Sequence, residues 1–188
     1  MAAMSRAETV IAGLRSALFV LAVITLPARA TEPVKLAFVD TGNTGRSVTA
    51  EALAKVEIAK AHLPIAVISR AVDLDPYQTA PEANVVTLLS ARGIDVSAHR
   101  AAQLSAQDVR HSDVILTMTA THKAKVIALF PDAAAKTFTL ADYAGGGGDV
   151  ADAFGKPMPA YQAMMKQVES YLAPALTRAA RDHAKSPP

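Results

Sequence analysis

Nine consecutive residues, Val39-Asp40-Thr41-Gly42-Asn43-Thr44-Gly45-Arg46-Ser47, bring together the groups that anion chemistry needs. Gly42 and Gly45 leave room for an anion to approach the backbone, and both would allow positive φ. Arg46 offers a planar fork of donors that matches two oxygens of one anion. Thr41 and Thr44 complete the run whose backbone N–H groups would face the ligand. Asn43 and Ser47 are residue types that brace loops, and a turn residue and a helix N-cap are their simplest roles. For Arg46 the competing reading is a surface salt bridge. Asp40 is the one carboxylate of the stretch.

Such a loop works only if rigid elements hold it. The apolar run from Val34 to Val39, broken by Lys35, predicts a strand before it, and the pattern from Val48 to Leu63 predicts a helix after it. A strand feeding a glycine-bearing loop and a helix N-terminus aims unpaired N–H groups and the positive end of the helix dipole at one point. Further strands are expected at Pro64 to Ser69, Asp113 to Met118 and Thr137 to Leu140. Helices are expected from Pro81 to Ser90, stopped near Gly93, and from a Ser105–Asp108 capping box to about His111. Thr119 or Thr121 caps a helix ending at Phe130-Pro131. A last helix runs from about Ala160 to Ala173 with Tyr161, Met164, Met165, Val168 and Leu172 on one face, and its resumption beyond Pro174 is left open.

Strands alternating with helices predict an α/β single domain, a four-stranded parallel sheet with helices on both faces. Sites on such sheets lie at the carboxyl ends of the strands, where Asp40 to Ser47 falls. The loop from Ala141 to Pro159 carries Gly145 to Gly148 and is expected to be the most mobile part, with Tyr143 as a pocket-wall aromatic. His62, His111, His122 and His183 are expected on solvated helix faces, and His99 in a structural role. No metal-binding spacing joins them.

Composition narrows the chemistry. Of 188 residues none is cysteine, which removes disulfides and thiol catalysis alike. Arg6 and Arg15 precede an apolar run from Ala17 to Leu26 and then Pro27-Ala28-Arg29-Ala30, the layout of a secretory signal peptide over residues 1–30. Cleavage after Ala30 would leave a domain over 31–184 and a loose tail over 185–188, exported to a periplasm with no membrane attachment. Arg6, Arg15, Arg29 and Glu8 would leave with the leader, and the 19 bases and 17 acids of the whole chain then come into balance. That balance, with no nucleic-acid-binding motif, argues against a nucleic-acid partner.

The loop also resembles the signature of the low-molecular-weight protein tyrosine phosphatases and the arsenate reductases of their fold. That signature reads Cys, any residue, Gly-Asn, any residue, Cys-Arg-Ser after the first strand. Gly42-Asn43, Arg46 and Ser47 match it, while Asp40 stands at the nucleophilic Cys and Gly45 at the second Cys that many members carry. Gly93-Ile94-Asp95, His99-Arg100-Ala101, Ser112 to Leu116, Phe130-Pro131 and Asp149 to Gly155 are similar to later landmarks, in order. The resemblance implies Arg46 as the anion clamp, Asp152 as the general acid, Ser47 orienting the nucleophile and Asn43 bracing the loop. The family usually reads Asp-Pro where this chain has Asp152-Ala153, so a solvated loop carboxylate is the competing reading of Asp152, with Asp149 in reserve.

Asp40 admits three readings. Its carboxylate occupies the anion pocket and excludes phosphate; or phosphate binds through Arg46 and the loop without transfer; or Asp40 is itself a nucleophile that forms an aspartyl-phosphate. The last calls for a divalent metal, and the others need no cofactor. The expectation is a phosphatase-like protein acting by binding phosphate, another oxyanion, a phosphorylated molecule or an envelope protein. The alternative is a phosphomonoesterase using Asp40, a metal and Asp152. A purely structural role in an envelope assembly is the third.

Overall fold

The computed structural model describes residues 32–185; the leader expected over 1–30 and residues 186–188 lie outside them. Strand β1 (Val34–Asp40) sits inside the sheet and runs parallel to both β2 (Ile65–Ala71) and β3 (Val114–Thr117), with β4 (Thr137–Thr139) parallel to β3. The spatial order is β2-β1-β3-β4. The four-stranded parallel sheet of the sequence reading is therefore the observed one. Because order reverses between β1 and β3, the crevice beyond their carboxyl ends is the topological switch point where such sheets carry ligands. The loop after β1 opens there.

Alternation along β1 explains the two-layer cover. Val34, Leu36 and Phe38 point to one face, into a core shared with Leu53, Met164, Met165, Val168 and Leu172. Ala37 and Val39 point to the other, against Val109, Ile115, Val126 and Ala133. The first face is covered by α1 (Arg46–Ala61), α2 (Ala83–Ser90) and α6 (Met158–Lys185). The second is covered by α3 (Ala106–His111), α4 (Ala120–Leu129) and a 3-10 turn over Pro131–Lys136. The Ser105–Asp108 capping box is formed, and Thr119 caps α4 by accepting from His122 N.

Several expectations shift. Helix α1 begins two residues earlier than its apolar pattern, at Arg46, with its first-turn donor Ser47 N satisfied by Asp40 from outside the helix. Its N-cap is Gly45, so Ser47 is a residue of the first turn and not the cap. The segment after β4 turns once more as α5 (Leu140–Tyr143), with Thr139 Oγ1 accepting from Asp142 N. Helix α6 passes straight through Pro174 and extends to Lys185, so the segment beyond the proline is continuous with the helix expected from about Ala160 to Ala173. Ala175, Leu176 and Ala179 are buried beyond the proline, and that burial outweighs its lost hydrogen bond. Among the described residues no helix is long and apolar enough to cross a membrane.

Candidate functional site

The loop is built around two buried residues, Asp40 and Asn43. Asp40 is 3 % exposed. Its Oδ1 accepts from Asn43 N at 2.6 Å and its Oδ2 from Ser47 N at 2.9 Å. The carboxylate thus lies inside the ring of loop donors and at the positive end of α1, an arrangement that stabilises its charge. Strand β1 delivers it there, and Val72 N and Asp73 N tie the loop down by donating to the carbonyls of Asp40 and Thr41 at 2.9 Å each.

In this loop it is Asn43 that takes the left-handed backbone conformation, with φ 57°. Its side chain stabilises that turn: Nδ2 donates to Ser47 Oγ at 3.0 Å and Ser69 Oγ at 2.8 Å, and Oδ1 accepts from Ala102 N at 3.1 Å. His99 Nε2 bonds the Asn43 carbonyl at 3.0 Å, which gives that histidine its structural role. Ser69 Oγ in turn donates to Glu51 Oε2, and Glu51 pairs with Lys55. The brace expected of Asn43 thus reaches β2, α1 and the segment before α3.

Neither Gly42 nor Gly45 has positive φ. Gly45 is needed for space: a Cβ built there would overlap Glu82 Oε1. Glu82, at the N-terminus of α2, is the site residue that sequence reasoning missed. It accepts from Tyr161 Oη of α6 and from Thr44 Oγ1 at 3.4 Å. Burial raises its pKa above the usual 4.5, and the charges of Asp152 and Asp40 push the same way against the Tyr161 hydrogen bond. Tyr161 is pushed up to about 12 by burial and by its bond to Glu82. The signal that could have found Glu82 was its place just after Pro81, at the mouth of a helix following a site strand.

Arg46 is 8 % exposed, and its guanidinium is engaged within the protein. One nitrogen donates to Asp152 Oδ2 at 3.1 Å and another to the Val150 carbonyl at 3.4 Å. Asp152 is therefore brought to the loop despite the missing proline, held as well by Phe154 N donating to its Oδ1 at 3.1 Å. Asp149 is not brought there; it accepts from Ala120 N at 2.8 Å, at the start of α4. Tyr143 is also elsewhere, buried between Phe138 and the Arg178 guanidinium, because the turn of α5 carries it into the core. The four glycines line no part of the loop cavity.

His122 corrects the expectation of a solvated face. It is 7 % exposed behind the loop, with Nε2 bonded to Thr41 Oγ1 at 2.8 Å and Nδ1 without a partner. Burial, and then the Arg46 charge, hold its pKa below 6.5. A cavity of about 230 Å³ opens over the loop, lined by Asp40 to Thr44 except Asn43, by Gly45 and Arg46, and by carboxylates of Asp73, Asp75, Glu82 and Asp152. A larger groove of about 540 Å³ lies between α1 and residues 94–99 and contains none of the loop's groups except the backing His99 and Val48. Among the described residues no three or more His, Asp or Glu side chains are placed to hold a metal ion.

The arrangement sets a carboxylate between two backbone donors at the N-terminus of α1, and comparison with known proteins gives it a lineage. A protein-arginine-phosphatase of Geobacillus stearothermophilus is 33% identical over 141 residues, 74% of this chain and 92% of its own. The low molecular weight protein-tyrosine-phosphatase PtpB of Staphylococcus haemolyticus is 32% identical over 136 residues, 72% of this chain and 92% of its own. Among solved structures, a variant of the arginine phosphatase YwlE with a phosphorylated active-site serine superposes with a TM-score of 0.75 at 31% identity, covering 79% of this chain and 97% of that one. The model of the low molecular weight phosphotyrosine protein phosphatases matches residues 35–185, and the chain belongs to that family.

Proposed function

We propose that the protein is a phosphatase-like binding module whose oxyanion cradle is filled by its own Asp40 carboxylate, acting by recognition and not by thiol-based turnover. The observation that carries this reading is the pair of bonds from Asn43 N and Ser47 N to the two oxygens of Asp40. Those donors are spent on an internal anion. A phosphate above them would meet a fixed negative charge at roughly 4 Å, which costs about 4 kcal/mol per unit charge at an effective dielectric near 20. Arg46, the clamp that would offset this, is paired with Asp152. The reading includes export, for which the leader-like residues 1–30 are the support; N-terminal sequencing of the protein recovered from a periplasmic fraction would begin at Thr31.

A second reading keeps phosphate as the ligand and makes Asp40 a phosphoryl acceptor, with Asp152 protonating the leaving oxygen and a divalent metal offsetting the charge. What favours it is the phosphorylated active-site serine of the YwlE variant, an oxygen acceptor in a relative's loop. Hydrolysis of an aryl phosphate with and without Mg²⁺, beside Asp40→Asn, separates the two. The binding reading predicts no turnover in any condition. Turnover that needs both the metal and Asp40 would replace it with the second.

A further inference from the structure

Five carboxylates line the loop cavity, and the protein supplies cations for two of them. Arg46 pairs with Asp152 at 3.1 Å and Lys125 with Asp73 at 2.7 Å. Asp40, Asp75 and Glu82 accept hydrogen bonds from neutral groups, and among the described residues no cation stands within ion-pair distance of them. Asp40 is the telling one. It is a nearly fully buried carboxylate held by the Asn43 and Ser47 amides, and it lines the cavity with no cation paired to it. The cavity that this fold offers to anions has had its sign reversed.

The mouth adds a second feature. A neighbouring hollow of about 510 Å³ shares Thr44, Gln78, Glu82 and Phe154 with the loop cavity, so the two form one trough. Phe154 is 60% exposed and Tyr77 94% exposed, and both border that trough. Large apolar side chains held open to water beside a charged pocket mark an interaction surface, and aromatic faces favour a cation stacked on them.

We infer that this trough docks a protein partner by taking up the unmodified guanidinium of an arginine side chain, which sits over Asp40 between Glu82 and Asp75 with Phe154 at its flank. Charge complementarity selects a cation, and a planar fork of donors suits several carboxylates converging from different sides better than a compact ammonium does. The partner's backbone then lies along the trough toward Tyr77. The inference rests on the reading that Asp40 fills the cradle.

The test uses ¹⁵N-labelled protein titrated with Nα-acetyl-arginine amide, with the neutral Nα-acetyl-citrulline amide as its shape control, and with inorganic phosphate. The arginine probe should move the amides of Gly42, Gly45 and Phe154 saturably, bind at least tenfold more tightly than citrulline, and weaken as salt rises. Glu82→Gln and the half-buried Asp75→Asn should each weaken it severalfold. No saturable response to arginine, or an equal response to citrulline, overturns the docking inference and leaves the filled cradle standing. Saturation of the same amides by phosphate overturns the filled cradle, and the inference with it.

Discussion

At the scale of single residues, the site depends on side chains that serve the backbone. Asn43 joins three partners through its amide and holds a left-handed turn. Asn43→Ala leaves buried donors and acceptors unmet and is expected to cost on the order of 3 kcal/mol, read from urea denaturation. Asn43→Gly should recover only the backbone share, about 1 kcal/mol. His122 gives a prediction with a sign. Its folded-state pKa lies below the ordinary 6.5, so its contribution to stability is complete above pH 6.5 and is lost as pH falls through the folded value. Glu82 acts oppositely: its raised pKa favours the folded state below 4.5 and that benefit is lost as pH rises through its folded value. Urea midpoints across this range should therefore fall less steeply toward acid in His122→Gln than in the parent protein. An unchanged slope would mean that the imidazole is solvated.

At the scale of elements, the parts that local pattern specifies were legible and the parts set by distant packing were not. Strand β1, the capping box of α3 and the Thr119 cap follow from neighbours in sequence, and each is where the pattern placed it. Asn43, Arg46 and Ser47 belong to one short motif and were legible for the same reason. Glu82 reaches the loop from a helix almost forty residues on, and Tyr161 from another still further, so no local spacing announced them. Burial of Leu176 and Ala179 decides that α6 continues beyond Pro174, a continuation the sequence left open, although a proline inside a helical pattern usually signals a stop. That conflict is measurable. Pro174 is exposed and sits mid-helix, where it removes a hydrogen bond donated to the carbonyl one turn back. Pro174→Ala should stabilise the protein by about 1–3 kcal/mol, the helix gain less the entropy that proline removes from the unfolded chain. A destabilised variant would mean that α6 does not cross Pro174.

At the scale of the whole molecule, the question is how much of a phosphatase remains once the nucleophile is gone. The sheet still ends at the switch point between β1 and β3, Asn43 still braces the loop, and Arg46 and Asp152 still meet beside it. On the reading proposed above, two changes go with the absent thiol: Asp40 takes up the Asn43 and Ser47 N–H groups, and Glu82 lies where a side chain at position 45 would have stood. If these are the only obstacles, removing them in order should restore function in order. Asp40→Cys places a thiol at the N-terminus of α1, where the helix dipole and the Ser47 N–H favour the thiolate, and frees Asn43 N for a phosphate oxygen. This variant should hydrolyse an aryl phosphate slowly, with turnover abolished by iodoacetamide. Its KM should be high, because Glu82 and Asp75 still repel the dianion. Adding Glu82→Gln should lower KM severalfold while changing kcat little, the signature of an interaction equal in ground and transition states. A Cys variant that folds, is alkylated at Cys and shows no turnover would mean that the geometry of Arg46 and Asp152 does not support thiol-based transfer, whatever residue stands at position 40.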